Sequence, residues 1–127
     1  MNWCISLKQK YANAILEGRK TIEIRTRVPK TLCEDDLIFV CISGSHGMIP
    51  FSFRVRGKML RGINFAWHAY NDLMGISIDD YKRYTAGRYL IWIIEIKDLQ
   101  VYDQPLNISE LNIKRPPLWF TRILTEV

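Results

Sequence analysis

The amino-acid sequence predicts an α+β domain: a small mixed sheet or a partly open β-barrel of about five or six strands, with short helices at its ends. The chain has 127 residues, a length that supports one domain over residues 1–127. The predicted order is a strand, a helix and then mostly strands, with two short helices inserted before the longest strand. Because helices and strands do not alternate regularly, this order disfavours a doubly wound parallel sheet.

The elements of the first half follow from changes in hydrophobic period. Between residues 9 and 17, apolar side chains recur at three- and four-residue spacing, which predicts a helix over Gln9–Glu17 that ends at Gly18. Apolar and polar residues then alternate, as in a half-buried strand. The predicted strands of this half cover Trp3–Leu7, Thr21–Arg25, Leu37–Ile42 and Ile49–Met59.

The second half begins with the helical insertion. Phe65–Leu73 has a helical pattern with Asn64 as its cap, and Ser77-Ile-Asp-Asp80 resembles a capping box that starts a second helix, which ends near Gly87. The next segment is rich in Tyr, Ile and Trp, which favour strands. The remaining predictions are a strand over Tyr89–Leu99, an irregular tail over residues 103–117 and a last strand over Trp119–Leu124.

Composition and charge limit the possible functions. The 18 Lys and Arg residues exceed the 13 Asp and Glu residues, and the net charge of +5 permits a polyanionic partner such as RNA. Three cysteines without paired spacing indicate neither a disulfide framework nor a zinc site, and we expect no metal or other cofactor. The longest uncharged stretch, Leu37–Phe53, contains a Gly-rich turn and is not a membrane span. We therefore expect a soluble cytoplasmic protein without membrane contact.

The segment after the first helix is the most informative part of the chain. Residues 19–27 contain four cationic side chains, and on a strand Thr21, Glu23 and Arg25 would project from one face, with Lys20 at its start. A carboxylate accepts hydrogen bonds from a nucleobase edge, and an Arg side chain grips a phosphate with two hydrogen bonds. The pattern is equally typical of a solvated strand face with a surface ion pair.

A family resemblance favours the functional interpretation. Ser6-Leu7-Lys8, Tyr11-Ala12 and Ile15–Arg25 resemble the signature of the ASCH domain, whose hallmark is Gly-x-Lys-x-x-Glu-x-Arg. Gly18, Lys20, Glu23 and Arg25 fill its four places, and residues 84–89 and 115–117 are also similar to the family. The resemblance implies a PUA-like barrel that binds RNA or a nucleotide-related ligand in a cleft floored by this motif. We expect alanine at Glu23 and Arg25 to leave the fold stable and abolish binding.

An enzymatic alternative follows from the same resemblance. Some ASCH proteins resemble amidohydrolases of acylated cytidine, and Lys20 matches their lysine. Their nucleophile position falls on Glu23, which lacks a hydroxyl group, while Thr21 on the same face would need a shifted geometry. Asp72 is the best match for their acid. A small hydrolase of a modified nucleoside or of RNA, with Lys20, Glu23 and Asp72 as catalytic residues, therefore stays an alternative, as does a module that binds a small anion.

A second basic segment follows the central strands. Arg54, Arg56 and Lys58 are predicted to share one face of an extended strand, which fits either a surface that tracks a nucleic-acid backbone or a charged sheet edge. Trp119, after two prolines, is the aromatic side chain that we expect beside the cleft. The predicted binding residues are Lys20, Thr21, Glu23, Arg25, Arg27, Arg54, Arg56, Lys58 and Trp119.

Overall fold

The computed structural model describes residues 1–124, which form six strands, three α-helices and one 3₁₀ helix. No helix in this range is long and apolar enough to cross a membrane. The strands are β1 (Asn2–Leu7), β2 (Ile22–Arg25), β3 (Leu37–Ile42), β4 (Met48–Gly62), β5 (Leu90–Asn107) and β6 (Thr121–Ile123). The helices are α1 (Gln9–Leu16), α2 (Ile63–Met74), α3 (Ile78–Thr85) and the 3₁₀ helix η1 (Ile108–Leu111).

All six strands belong to one mixed sheet in the order β2-β5-β4-β3-β1-β6. The β1 and β3 strands pair in parallel, and the other neighbours are antiparallel. Within residues 1–124, the edge strands β2 and β6 do not pair with each other, so the sheet does not close. The predicted α+β class and partly open barrel are confirmed.

Both faces of the sheet are covered by other parts of the chain, and we call them the inner face and the outer face. The inner face packs with α1 around one core that includes Ile5, Val40 and Phe53. The outer face is covered by η1 at the β1–β3 end and by α2 and α3 at the β2–β5 end. Strand alternation therefore sends Ile22 and Ile24 to the outer face and leaves Glu23 and Arg25 on the inner one.

Several boundaries differ from the predictions. The residues predicted as an irregular tail begin with the end of β5, which continues to Asn107 because its last residues pair with the start of β4. A capping box between Asn107 and Glu110 then starts η1. The last strand is shorter than predicted, Thr121–Ile123 rather than Trp119–Leu124. These differences arise from cross-strand pairing, which local propensity does not report.

A β-bulge in β4 overturns one prediction about the basic segment. Val55 pairs with Ile96 and Gly57 pairs with Glu95, so Arg56 is an extra residue and the alternation reverses after it. Arg54 consequently lies on the outer face, whereas Lys58 lies on the inner face opposite Ile94. The prediction that these cationic side chains share one strand face is therefore wrong.

Candidate ligand-binding cleft

A cleft of about 580 Å³ opens beside the ends of β1 and β3, next to β2. Helices α1 and α3 and the segment before β6 complete its walls. Four cationic and two acidic side chains contribute to the lining, together with two tyrosines and an apolar rim. These residues are Lys8, Lys20, Arg25, Arg83, Glu23, Asp80, Tyr11, Tyr84, Pro117 and Leu118.

Lys20 lies beneath this cleft with only 3 % of its surface exposed. The chain leaves α1 through Gly18, whose φ of +78° is readily adopted only by glycine, and Lys20 then forms an isolated β-bridge with Met74. Its Nζ donates to the Met74 carbonyl at 2.9 Å and lies 3.1 Å from Glu23 Oε1. The C-terminal end of α2 thus helps to hold the buried ammonium group.

Gly75 makes this approach of α2 to Lys20 possible. Its φ is +59°, in the left-handed region, and it forms the C-cap of α2. A Cβ atom at this position would lie 2.7 Å from Lys20 Cβ and 3.1 Å from Ala14 Cβ. Both backbone conformation and space therefore require glycine here.

Glu23 joins the two cations of the motif. Its Oε2 accepts a hydrogen bond from Arg25 Nε at 2.9 Å, while Oε1 faces Lys20. Burial alone would raise the pKa of Glu23, but the charges and hydrogen bonds of the two cations outweigh it and hold this pKa below its usual range. With 4 % of its surface exposed, Glu23 is an ionised, buried carboxylate, and the alternative of a solvated strand face is wrong.

Arg25 carries the network to the cleft wall. Its Nη2 donates to the Ser6 carbonyl at 3.3 Å, and its guanidinium carbon lies 5.4 Å from the centre of the Phe120 ring. Within residues 1–124, Nη1 of Arg25 has no hydrogen-bond partner, and only two acceptors contact the three ammonium protons of Lys20. The motif therefore offers spare donors, and it favours a ligand rich in acceptors or negative charge.

Asp80 is the acidic residue of the inserted helices that reaches the cleft. Its carboxylate accepts from Lys10 Nζ at 2.8 Å, from the Tyr11 hydroxyl at 3.2 Å and from Arg83. The hydrogen bond from Lys10 is the largest of the effects that lower the pKa of Asp80 to about 2. Asp80 is consequently ionised at neutral pH and positions rim residues rather than donating protons.

The structure brings Lys20 and Glu23 together but leaves Asp72, the third predicted catalytic residue, outside the cleft. Asp72 is exposed and lines a separate depression with Arg19 and Ser77, away from Lys20 and Glu23 in the cleft. Thr21 is exposed at the start of β2, and its backbone bonds to Leu73 and Ile96. It does not line the cleft, so Thr21 does not replace the hydroxyl that is missing at Glu23.

The other predicted binding residues lie outside the cleft. Arg27 is exposed, and its guanidinium carbon lies 4.7 Å from the centre of the Trp119 ring, whose Nε1 donates to the Arg27 carbonyl at 3.0 Å. Arg54 donates to the Asp35 carbonyl on the outer face, and Arg56 is exposed at the bulge. The predicted role of Arg54 and Arg56 in RNA binding therefore concerns a different surface.

Sequence reasoning missed several residues of the cleft wall. Tyr11 and Asp80 come from two helices that are far apart in sequence, and Tyr84 accepts a hydrogen bond from the Thr26 amide at 3.2 Å. The local sequence predicted only where these helices lie. The capping pattern at Ser77 indicates the start of α3, but it does not indicate which part of the protein the side chains of its first turn contact. Among residues 1–124, no three His, Cys, Asp or Glu side chains are grouped as metal ligands.

Comparison with known proteins finds a relative in sequence and solved structures with a similar fold. An ASCH domain-containing ribonuclease from Zymomonas mobilis is 25 % identical over 107 residues, which cover 84 % of this chain and 71 % of the relative. The crystal structure of an ASCH protein from Zymomonas mobilis superposes with a TM-score of 0.84 at 23 % identity, over 94 % of this chain and 85 % of that one. A solution structure from Pyrococcus furiosus gives a TM-score of 0.53 at 20 % identity, over 84 % and 98 % of the two chains.

The structural likeness concerns the fold, and the sequence match identifies the family. The family model described as the ASCH domain matches residues 5–108, which include the Gly18–Arg25 motif and most of the sheet. The chain belongs to the ASCH domain family.

Proposed function

We propose that this protein binds RNA, or a nucleotide-related ligand of the same chemistry, in the cleft floored by Lys20, Glu23 and Arg25. The observation that carries the proposal is the surplus of donors on the buried Lys20 and the half-buried Arg25, whose shared carboxylate is already engaged on both oxygens. Phosphate and base carbonyl oxygens are acceptors, and they complement such a site.

The charge around the floor supports a polyanionic ligand. Lys8 is exposed at the rim, and within the described chain it forms no ion pair or side-chain hydrogen bond. Arg83 stands on the α3 side of the same opening. Four cations against two acids raise the local concentration of an anion and complement phosphate groups. The curated relative from Zymomonas mobilis is named a ribonuclease, which also supports RNA as the ligand.

The proposal is tested by fluorescence anisotropy with a labelled single-stranded RNA at several salt concentrations. We expect Arg25→Gln to weaken binding about 10- to 100-fold, since hydrogen bonds to charged groups contribute about 1.5–3 kcal/mol. We expect Lys8→Gln, whose side chain has no structural role among the described residues, to make the salt dependence shallower by about 0.7 units.

Lys82→Gln is the matched control for Lys8→Gln, because Lys82 is also exposed but lies on α3 outside the cleft lining. Urea unfolding of each variant separates loss of binding from loss of fold. Unchanged RNA affinity in both Arg25→Gln and Lys8→Gln would overturn the proposal. If Lys82→Gln changed the salt dependence as much as Lys8→Gln, RNA binding would depend only on net charge, which would also contradict a cleft site.

Cleavage of the bound RNA is a second candidate function. It is favoured by the name of the Zymomonas mobilis relative, a ribonuclease, and by the position of Lys20, whose Nζ lies 5.8 Å from the centre of the Tyr11 ring. An ammonium group can stabilise developing charge on a phosphate, and a nearby hydroxyl can exchange a proton. Hydrolysis of a modified nucleoside has less support, because neither Glu23 nor Thr21 supplies a hydroxyl group to the cleft.

The cleavage hypothesis predicts shortened products when the wild-type protein is incubated with labelled single-stranded RNA, with and without added Mg²⁺. We expect Lys20→Gln to abolish product formation, since it removes the buried charge. Asp72→Asn should cleave at the wild-type rate because Asp72 lies outside the cleft. RNA that stays intact with the wild-type protein under both conditions, while still bound, would exclude cleavage and leave the binding function standing.

A further inference from the structure

Three cations on or beside the inner face each stand over an aromatic ring. Arg25 lies 5.4 Å from the centre of the Phe120 ring, Arg27 lies 4.7 Å from that of Trp119, and Lys58 Nζ lies 5.5 Å from that of Trp92. We call these six residues the cation–aromatic row. Lys58 reaches it only because the bulge in β4 turns its side chain to the inner face.

The row extends in two directions from Arg25 in the cleft lining. Arg25 lines the cleft, and in the sheet it pairs with Trp92 of β5, over which Lys58 of β4 is placed. In the other direction, the Phe120 and Trp119 rings meet edge to face with centres 5.5 Å apart. Pro117 and Leu118 connect this aromatic pair to the cleft rim.

The outer members of the row differ from Arg25 in their charge balance. Glu23 compensates Arg25, but in residues 1–124 no carboxylate lies within ion-pair distance of Arg27 or Lys58. Arg27 is exposed, and the side-chain hydrogen bond of Lys58 runs to the Lys30 carbonyl at a long 3.4 Å. Beyond the cleft, the row thus carries uncompensated positive charge beside half-buried tryptophan rings.

We propose that the cation–aromatic row extends the cleft into a path for single-stranded RNA, which makes an extended strand rather than a mononucleotide the ligand. Phosphates lie against Arg27 and Lys58, and bases stack on Trp119 and Trp92. Single-strand binding sites combine these two features, and they cover about 4–16 nucleotides. A duplex fits less well because its base faces are stacked on one another. The inference rests on the proposed function and adds the length and strandedness of the RNA.

The test compares labelled oligouridylates of about three and about twelve nucleotides with a duplex of the longer length. The wild-type chain should bind the longer single strand more tightly than the shorter one and than the duplex. Arg27→Gln combined with Lys58→Gln should abolish the gain from length and make the salt slope shallower by about 1.4 units, about 0.7 for each phosphate contact. Binding of the short oligonucleotide should not change.

The matched control is Arg61→Gln combined with Lys82→Gln, which removes the same charge. Arg61 follows Lys58 on β4 but pairs with Ile91 on the outer face, and Lys82 is exposed on α3. The gain from length should persist in this control.

The possible failures are distinguishable. If the short oligonucleotide binds and the variant Arg27→Gln with Lys58→Gln keeps the full gain from length, the proposed path along the row is wrong, whereas the proposed cleft site is retained. If the control loses as much as the row variant, or if the duplex binds as tightly as the single strand, the proposed path is likewise wrong. If the wild-type chain binds neither oligonucleotide, the proposed function fails as well.

Discussion

Two buried carboxylates stand in different regions of this protein. Glu23 is 4 % exposed and lies beneath the cleft, whereas Asp36 is 3 % exposed and lies beside the Met1 amino group. Hydrogen bonds reach Asp36 from the Met1 amino group, the Trp3 indole and the Cys33 amide. Burial tends to raise the pKa of Asp36, and these hydrogen bonds outweigh it and lower the pKa, as the two cations do for Glu23.

The two carboxylates differ in whether their hydrogen-bonding partners have further donors available for a ligand. Two of the donors to Asp36 are an indole and a backbone amide that serve it alone, and Asp36 lines neither described pocket. The partners of Glu23 are cations with further donors in the cleft wall. A buried carboxylate with a lowered pKa therefore does not by itself indicate a binding site, whereas surplus donors beside a cavity do.

The largest expected effect is at Glu23. Glu23→Ala leaves the buried Lys20 and the half-buried Arg25 without their shared carboxylate, so the free energy of unfolding should fall by about 3–5 kcal/mol. This revises the expectation that alanine there leaves the fold stable. Urea unfolding measures the loss, with Glu17→Ala in the exposed pair with Arg19 as a control that should cost less than about 1 kcal/mol. Equal losses in the two variants would contradict the burial argument.

Asp36→Asn should separate stability from binding. In the wild-type protein, Met1 and Trp3 donate hydrogen bonds to the charged carboxylate of Asp36. Because a neutral amide accepts these hydrogen bonds less strongly, we expect the free energy of unfolding to fall by about 1.5–3 kcal/mol. RNA affinity, measured well below the unfolding transition, should stay at the wild-type value. A parallel loss of affinity would remove the functional distinction between the two carboxylates.

Gly75→Ala tests how the Glu23 region is assembled. A left-handed φ and a Cβ atom too close to Lys20 should cost about 1–2 kcal/mol, and the displaced Lys20 should weaken RNA binding. Gly44→Ala also has a positive φ, but no atom lies within 4 Å of its added Cβ. It should therefore cost stability without changing affinity. Wild-type affinity in Gly75→Ala would show that Lys20 does not need this packing.

The smallest expected effect is a change in acid sensitivity. Because the folded-state pKa of each carboxyl lies below its ordinary value, 4.5 for Glu23 and 3.8 for Asp36, its contribution is complete above that value. The contribution is lost as pH falls through the folded-state pKa. Glu23→Gln and Asp36→Asn should each flatten the decrease in unfolding free energy below about pH 4.5. Unfolding curves that keep the wild-type pH dependence would show that neither group is linked to folding.

Much of the fold is readable from local sequence. The helical spacing of residues 9–17, the stop at Gly18 and the alternation up to Arg25 predicted α1, β2 and the sheet face of the motif. The capping box at Ser77 predicted the start of α3, and its hydroxyl does accept a hydrogen bond from the Asp80 amide. These features depend on neighbours within a few residues, and a single sequence therefore contains them.

Tertiary structure decided which side chains meet. Lys20 and Glu23 are buried because α2 and the inner core cover them, Asp80 reaches the cleft because α3 packs near α1, and Lys58 changes face because of a bulge. Each depends on contacts between distant segments, whose register and burial no local pattern specifies. By itself the sequence determined the α+β class and the family motif, whereas long-range packing made that motif a buried network beneath a cleft.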